Sequence, residues 1–306
     1  MDKKGFISYL EGRGLAPLTV SRYAESAELF FRQAEKEDVQ VTKPDILRYL
    51  EYLKNKGLKN QSRGSRLTAL NHYFTYLYEN GQISANPCLF LKIRGTKQKR
   101  LHKIYTPEEL DALFDNYCQV FVRGADYSGM PANRREQAAL CRERNAAMLS
   151  LIIYQRAAAG EIEKIEPGDI DFFKAVIKIR SVRRSRCRTL PLNAAQTGLL
   201  IHYLQNIRPQ MFQCRNTENG RLFCLPSESS AATAFDALEK QIKTIDRQFL
   251  HFKQLRASTL CFWIKAYGLR KAQYLAGHRY VSSTEYYLSN NLDELAEDIN
   301  KMHPFG

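Results

Sequence analysis

The sequence is short of acid. Lys and Arg number 46 against 32 Asp and Glu, a formal charge of +14 at neutral pH. That imbalance favours a polyanionic partner, because each phosphate neutralised releases condensed counterions. A cysteine framework is also lacking. There are seven cysteines, an odd number, and no two stand as Cys-x-x-Cys. This argues against a disulfide scaffold and a zinc site and fits a reducing cytoplasm. No cluster of acidic residues marks a metal site. No apolar run is long enough to span a bilayer, and the opening MDKKGFISYL lacks the apolar core of a signal peptide. Neither a membrane partner nor a cofactor is implied. What remains is ordinary for a folded protein: 306 residues, 44% hydrophobic, enough for about two domains with sizeable cores.

Residues 1–95 read as wholly helical, with roughly four helices. Phe6, Ile7, Tyr9 and Leu10 mark a short first helix, ended by Gly12 and Gly14. Thr19 is expected to cap the second, with Val20, Tyr23, Leu29, Phe30 and Phe31 on its buried side. Thr42 caps the third, which has Pro44 in its first turn and Ile46, Leu47, Leu50 and Leu53 on one face. Gln61 to Tyr78 carries the fourth. Lys54, Lys56, Lys59, Arg63 and Arg66 form basic clusters beside its small polar start, Gln61-Ser62-Arg63-Gly64-Ser65. Such a helix start can approach a phosphate backbone closely, so DNA contact is expected there.

Residues 96–104 read as a basic interdomain linker, whose Lys97, Lys99 and Arg100 suit the side of a DNA backbone. A second domain over 105–306 opens on Thr106-Pro107-Glu108-Glu109, a capping box with proline at the first helical position. Residues 121–145 suggest a polar loop leading into a helix, and Ala146–Tyr154 a buried helix. The clear β signal is Ala175–Ile179, followed by Thr189–Leu192. Between them lie Arg180, Arg183, Arg184, Arg186 and Arg188. Like charges this close repel unless a polyanion sits between them, so the hairpin is read as a phosphate contact. Helices resume over Ala194–Gln205 and Ser230–Ile245. The fold class is therefore mainly α with a small β-hairpin or sheet.

The stretch Phe252–Leu288 carries the chemistry. Lys253 and Arg256 share one helical turn. An apolar helix follows, with Cys261, Phe262 and Trp263 read as core. Then come Ala276-Gly277-His278 and the adjacent Tyr286 and Tyr287. A phenol with its pKa near 10 attacks a phosphodiester poorly without help. Guanidinium groups and a histidine can stabilise the charge that develops on the non-bridging oxygens.

At these residues the chain resembles the tyrosine recombinase, or phage integrase, family. Ala276-Gly277-His278 with Thr284-Glu285-Tyr286-Tyr287 matches its L-G-H…T-x-x-Y pattern, and Lys253-Gln254-Leu255-Arg256 falls on its H-x-L-R box. The resemblance covers nearly the whole chain. It implies a helical SAM-like core-binding domain joined to a catalytic domain, which clamp a DNA duplex. It implies Tyr287 as nucleophile, with Arg256 and His278 on the phosphate and Arg183 near the position of the hairpin lysine. Tyr286 stands one place out of register. The family forms a 3′-phosphotyrosyl bond, needs neither ATP nor metal, and works as a homotetramer on two duplexes through a Holliday junction. The tail LDELAEDINKM is then a candidate for packing onto a neighbouring subunit.

Three departures matter. The family's first arginine falls on Ala158, in Gln155-Arg156-Ala157-Ala158-Ala159-Gly160-Glu161-Ile162. Lys253 replaces the H-x-L-R histidine, and Arg183 the hairpin lysine. Arg156, Arg186, Arg188 and Lys253 are candidates to compensate for Ala158. The Q-x-x-x-x-G-E-[IL] form is similar to recombinases of Bacteroidetes-type bacteria. Glu161 and Asp169 resemble structural positions. The expectation is a site-specific recombinase of mobile-element integration or excision; the alternative is a DNA-binding protein that cuts poorly.

Overall fold

A buried helix organises the larger part of the chain in this computed structural model, which describes residues 1–95, 103–182, 185–215, 220–225 and 228–288. Helix α6 (Ala132–Tyr154) is buried without interruption from Arg144 to Ile153, so its second half meets protein on every side. Its first half, rich in Arg and Glu, is largely solvated. The chain divides into two compact units, residues 1–100 and 101–306.

The first unit is a four-helix assembly: α1 (Lys3–Gly12), α2 (Pro17–Ala34), α3 (Lys43–Asn55) and α4 (Asn60–Glu79). Its core is aromatic, with Phe6 edge-on to Tyr73 and Phe30 edge-on to Tyr49 and Phe74. Asp45 caps the start of α3, its carboxylate accepting from the Thr42 N–H (2.9 Å) and from the Thr42 hydroxyl (2.6 Å). Thr19 lies inside α2 rather than capping it: Pro17 already supplies the fixed φ of a first helical turn, and Ala16 holds the cap position. Leu29 and Leu47, expected on buried faces, are exposed. Among the basic residues singled out above, Lys54, Lys56 and Lys59 are exposed. Lys56 also sits over the Tyr52 ring at 4.5 Å. Arg63 donates to the Leu50 carbonyl (3.1 Å) and to Asn60 Oδ1 (3.1 Å), tying α4 to α3. Arg66 is half-buried. Lys97, Lys99 and Arg100 fall outside the described residues, as does most of the expected linker.

The second unit packs its helices around α6. Thr106 and Glu109 cap α5 (Pro107–Tyr117) reciprocally. A three-stranded antiparallel sheet, β1 (Ile170–Asp171), β2 (Val176–Ile179) and β3 (Arg188–Pro191), runs in sequence order. The register Ile177↔Leu190 and Ile179↔Arg188 turns all four of these side chains inward. Strand β1 was not expected: at two residues it is too short to show alternation. Four more helices complete the described unit's larger pieces: α8 (Ala194–His202), α9 (Arg208–Arg215), α10 (Glu228–Ile245) and α11 (Phe252–Ala276). Short α7 (Ala159–Ile162) and α12 (Ser282–Glu285) lie before the sheet and after α11. The backbone of α11 is broken at Gly268 (φ 77°). Cys261 and Trp263 are buried as expected, but Phe262 between them is 43% exposed. No helix among the described residues is long and apolar enough to cross a membrane. The tail helix expected at Leu292–Met302 lies outside them.

Candidate active site

The site is assembled from four separate pieces of the second unit. At the end of α11 the chain closes with a Schellman cap. Gly277 takes the left-handed conformation (φ 66°) and its N–H bonds the Tyr274 carbonyl (2.9 Å). The His278 N–H reaches back to Gln273 (3.1 Å). The Ala-Gly-His motif is thus a helix terminator that throws His278 out at a fixed angle. A β-bridge between Ser185 and His278, and an Arg186 N–H bond to the Gly277 carbonyl (2.8 Å), pin the hairpin to this cap. Close approach requires glycine here. A Cβ at position 277 would stand 2.6 Å from Arg188 Nη1 and 2.9 Å from the Arg186 carbonyl oxygen.

The second piece is the turn after α6. Arg156 has φ 55°, a left-handed backbone that costs a non-glycine residue about 1–2 kcal/mol. Its side chain is 2% exposed. Arg156 Nε donates to the Arg256 carbonyl (2.9 Å), and Arg256 Nε donates to the Arg156 carbonyl (3.0 Å). The two arginines interlock although 100 residues separate them in the chain. Arg156 Nη1 also reaches the Ala276 carbonyl, at 3.4 Å.

Glu161, in α7, supplies the negative charge. Its carboxylate accepts from Arg188 Nη1 (2.7 Å) and Nη2 (3.2 Å), and from the Ala158 N–H (2.8 Å). Both partners of this ion pair are essentially inaccessible to solvent. Burial alone would raise the Glu161 pKa; the Arg188 guanidinium and the Ala158 N–H outweigh it and hold the carboxyl below its ordinary range. Arg188 Nε, also buried, has no hydrogen-bond partner.

Tyr287 completes the cluster. Its ring lies 5.6 Å from the Arg156 guanidinium carbon and 6.3 Å from the His278 ring, stacked on it. Tyr286 is half exposed and meets Tyr287 edge-on. His278 Nδ1 shares a hydrogen bond with Thr284 Oγ1 (2.8 Å), and Thr284 is fully buried. Burial, then the charges of Arg156, Arg256 and Arg188, push the His278 pKa down to about 3. Burial and Arg256 push that of Arg156 down to about 9. Arg256 is likewise lowered, chiefly by burial. Three guanidinium groups therefore face one carboxylate around a phenol. Such a site is built for an anion rather than for a metal ion.

The structure brings together Arg156, Arg188, Arg256, His278 and Tyr287. It places Lys253 exposed on the first turn of α11, and Arg186 exposed on the hairpin. Arg183 and Arg184 lie outside the described residues. Two members were not singled out as functional from sequence. Glu161 was read as structural, and its signal was the Gly-Glu-Ile triplet. Thr284 was read only as a letter of the tyrosine motif.

A family model described as the phage integrase family matches residues 121–294, more than half the chain. The chain belongs to the phage integrase family. The N-terminal SAM-like domain of phage integrases matches residues 4–81. Members of this family are tyrosine recombinases, and by that membership the chain is a DNA strand-cleaving and rejoining enzyme. It is similar to the tyrosine recombinase XerC of Oceanobacillus iheyensis, at 25% identity over 98% of this chain and 94% of that protein. Among solved structures, a lambda integrase dimer bound to a COC′ core site matches with a TM-score of 0.63 at 14% identity, covering 92% of each chain. A lambda integrase tetramer bound to a Holliday junction matches with a TM-score of 0.59 at 15% identity, covering 90% of this chain and 75% of that one. At these identities the structures establish the fold: a helical SAM-like domain and an integrase catalytic domain with a small antiparallel sheet.

Proposed function

We propose that this family member is a site-specific recombinase whose nucleophile is Tyr287. One observation carries the reading: the Tyr287 ring is packed against His278 and within 6 Å of a buried guanidinium, in a cluster with more cations than carboxylates. A phosphodiester brings the missing negative charge. The Tyr287 phenol oxygen forms a bond to phosphorus as the P–O5′ bond breaks. The phenolic proton is lost, the departing 5′-oxygen takes one up, and a 3′-phosphotyrosyl link remains. Arg256 clamps the non-bridging oxygens, where charge builds in the transition state. His278, its Nδ1 engaged by Thr284, offers Nε2 to the same phosphate. Attack by the 5′-hydroxyl of a partner strand reverses each step, so the bond energy is conserved.

The substrate in this reading is double-stranded DNA, bound by the basic faces of both units and carried through exchange by a homotetramer in the cytoplasm. Arg183, Arg184 and Arg186 of the hairpin, Lys253, and the basic residues around α3 and α4 contact the backbone. The biological role that fits is integration or excision of a mobile element. A second reading has one feature in its favour, the uncharged Ala158: the protein binds DNA and cuts it poorly.

Covalent trapping decides between them. A nicked suicide duplex carrying the recombination site is mixed with wild type, Tyr287→Phe and Tyr286→Phe, and adducts are resolved on a denaturing gel. The proposal expects an adduct lost in Tyr287→Phe alone. Sequence-specific binding without an adduct establishes the second reading, and loss in Tyr286→Phe alone moves the nucleophile by one residue.

A further inference from the structure

Resting on the recombinase reading, we propose that Arg156 is the catalytic cation that replaces the arginine absent at position 158, gripping a non-bridging oxygen of the scissile phosphate. The candidates differ in what their charges already do. Arg188 is neutralised by Glu161, bidentate at 2.7 and 3.2 Å. Arg186 and Lys253 are exposed. Arg156 is buried, and its described partners are the carbonyls of Arg256 and Ala276 and the neutral phenol of Tyr287, none of which is a counter-charge. Carbonyl oxygens orient a guanidinium but do not cancel its charge. A buried cation without a counter-ion is costly, and it is retained where a ligand anion completes it.

The backbone explains how a side chain from two residues upstream reaches the same place. At φ 55° Arg156 is turned out of the line of α6, and the Ala157 N–H folds back onto the Leu151 carbonyl (3.0 Å). Strain of this kind at a non-glycine residue collects at functional sites. The reciprocal bonds with Arg256 then tie each side chain to the other residue's backbone. The ring of Tyr287 lies 5.6 Å from the guanidinium carbon.

The test uses Arg156→Gly, since glycine accepts the left-handed backbone and relieves its strain. The variant also leaves a cavity and the Arg256 and Ala276 carbonyls without their donor, so cleavage is compared at a temperature where melting shows it folded and a mobility shift shows it bound to the site DNA. Two suicide substrates are compared, one with the normal scissile phosphate and one with a methylphosphonate there, which lacks one charged oxygen. Loss of one transition-state donor lowers rate by about 100-fold or more. We expect that loss on the phosphate and a loss under about tenfold on the methylphosphonate. Adding Ala158→Arg to Arg156→Gly is expected to restore phosphate cleavage at least about tenfold. Equal losses on both substrates overturn the proposal, because Arg156 then positions Arg256 rather than neutralising phosphate. Wild-type cleavage by Arg156→Gly on the phosphate overturns it too and leaves the recombinase reading intact. If wild type gives no adduct that Tyr287→Phe abolishes, both fall.

Discussion

Replacing Glu161 by Gln removes the one carboxylate of the cluster while keeping its shape. In wild type that carboxylate takes two bonds from Arg188 and one from the Ala158 N–H. The amide has one acceptor oxygen instead of two, and its NH2 must face either Arg188 or the Ala158 N–H, donor against donor. Arg188 is then left buried without its counter-charge, which costs about 3–5 kcal/mol. The hydrogen bond lost to that donor clash adds about 1 kcal/mol. A domain of this size has roughly 5–15 kcal/mol of stability in all, so most of the smaller figure would be consumed. Urea unfolding followed by the fluorescence of Trp263, the single tryptophan, reads this directly, because Trp263 is buried in the same unit. Arg188→Met in the Glu161→Gln background removes the stranded charge and is expected to recover most of the loss. A Glu161→Gln cost below about 1 kcal/mol would refute the reasoning, since the pair would then be no stronger than a surface one.

Two further predictions concern the helix cap and the histidine. Gly277→Ala places a methyl group 2.9 Å from the Arg186 carbonyl and 2.6 Å from Arg188 Nη1 at a left-handed backbone; it is expected to cost about 1–2 kcal/mol from backbone alone and to lower adduct yield. Melting and suicide trapping on the same variant check both. His278 has a folded-state pKa of about 3, below the ordinary histidine value of about 6.5. Its contribution is therefore whole above pH 6.5 and is lost as pH falls towards 3, because the unfolded chain binds the proton first. A bound phosphodiester offsets one of the positive charges that depress this pKa, so the His278 pKa should rise on binding and DNA binding should take up a proton fraction that grows as pH falls. Calorimetry in buffers of different ionisation enthalpy measures that uptake, and His278→Gln should abolish it.

Much of the helical unit was legible because its signals are local. Thr42 before Pro44 and Thr106 with Glu109 mark helix starts within four residues, and both helices begin there. Thr19 misled because Pro17, two residues earlier, is the stronger start. The first half of α6 was read partly as loop because its Arg-Arg-Glu-Gln run is exposed and shows no apolar period. The hairpin strands showed their alternation; β1, at two residues, had none to show. At the site, the order of Arg256, His278 and Tyr287 was readable because all three lie within one stretch. The place of Arg156 was not, since it depends on a positive φ and on a carbonyl 100 residues away. Glu161 looked structural for a related reason: its partner Arg188 reaches it only when β3 folds across α7.

The interlock of Arg156 with Arg256 also bears on how such a sequence can change over generations. Each guanidinium is oriented by the other residue's backbone, so neither position drifts independently. An arginine regained at 158 while Arg156 persists would add one more cation to a pocket with a single carboxylate. Losing Arg156 first would leave the pocket one cation short. On the proposal that Arg156 stands in for that arginine, both single-step routes back to the usual family arrangement pass through a worse protein, and the departure at Ala158 becomes a ratchet.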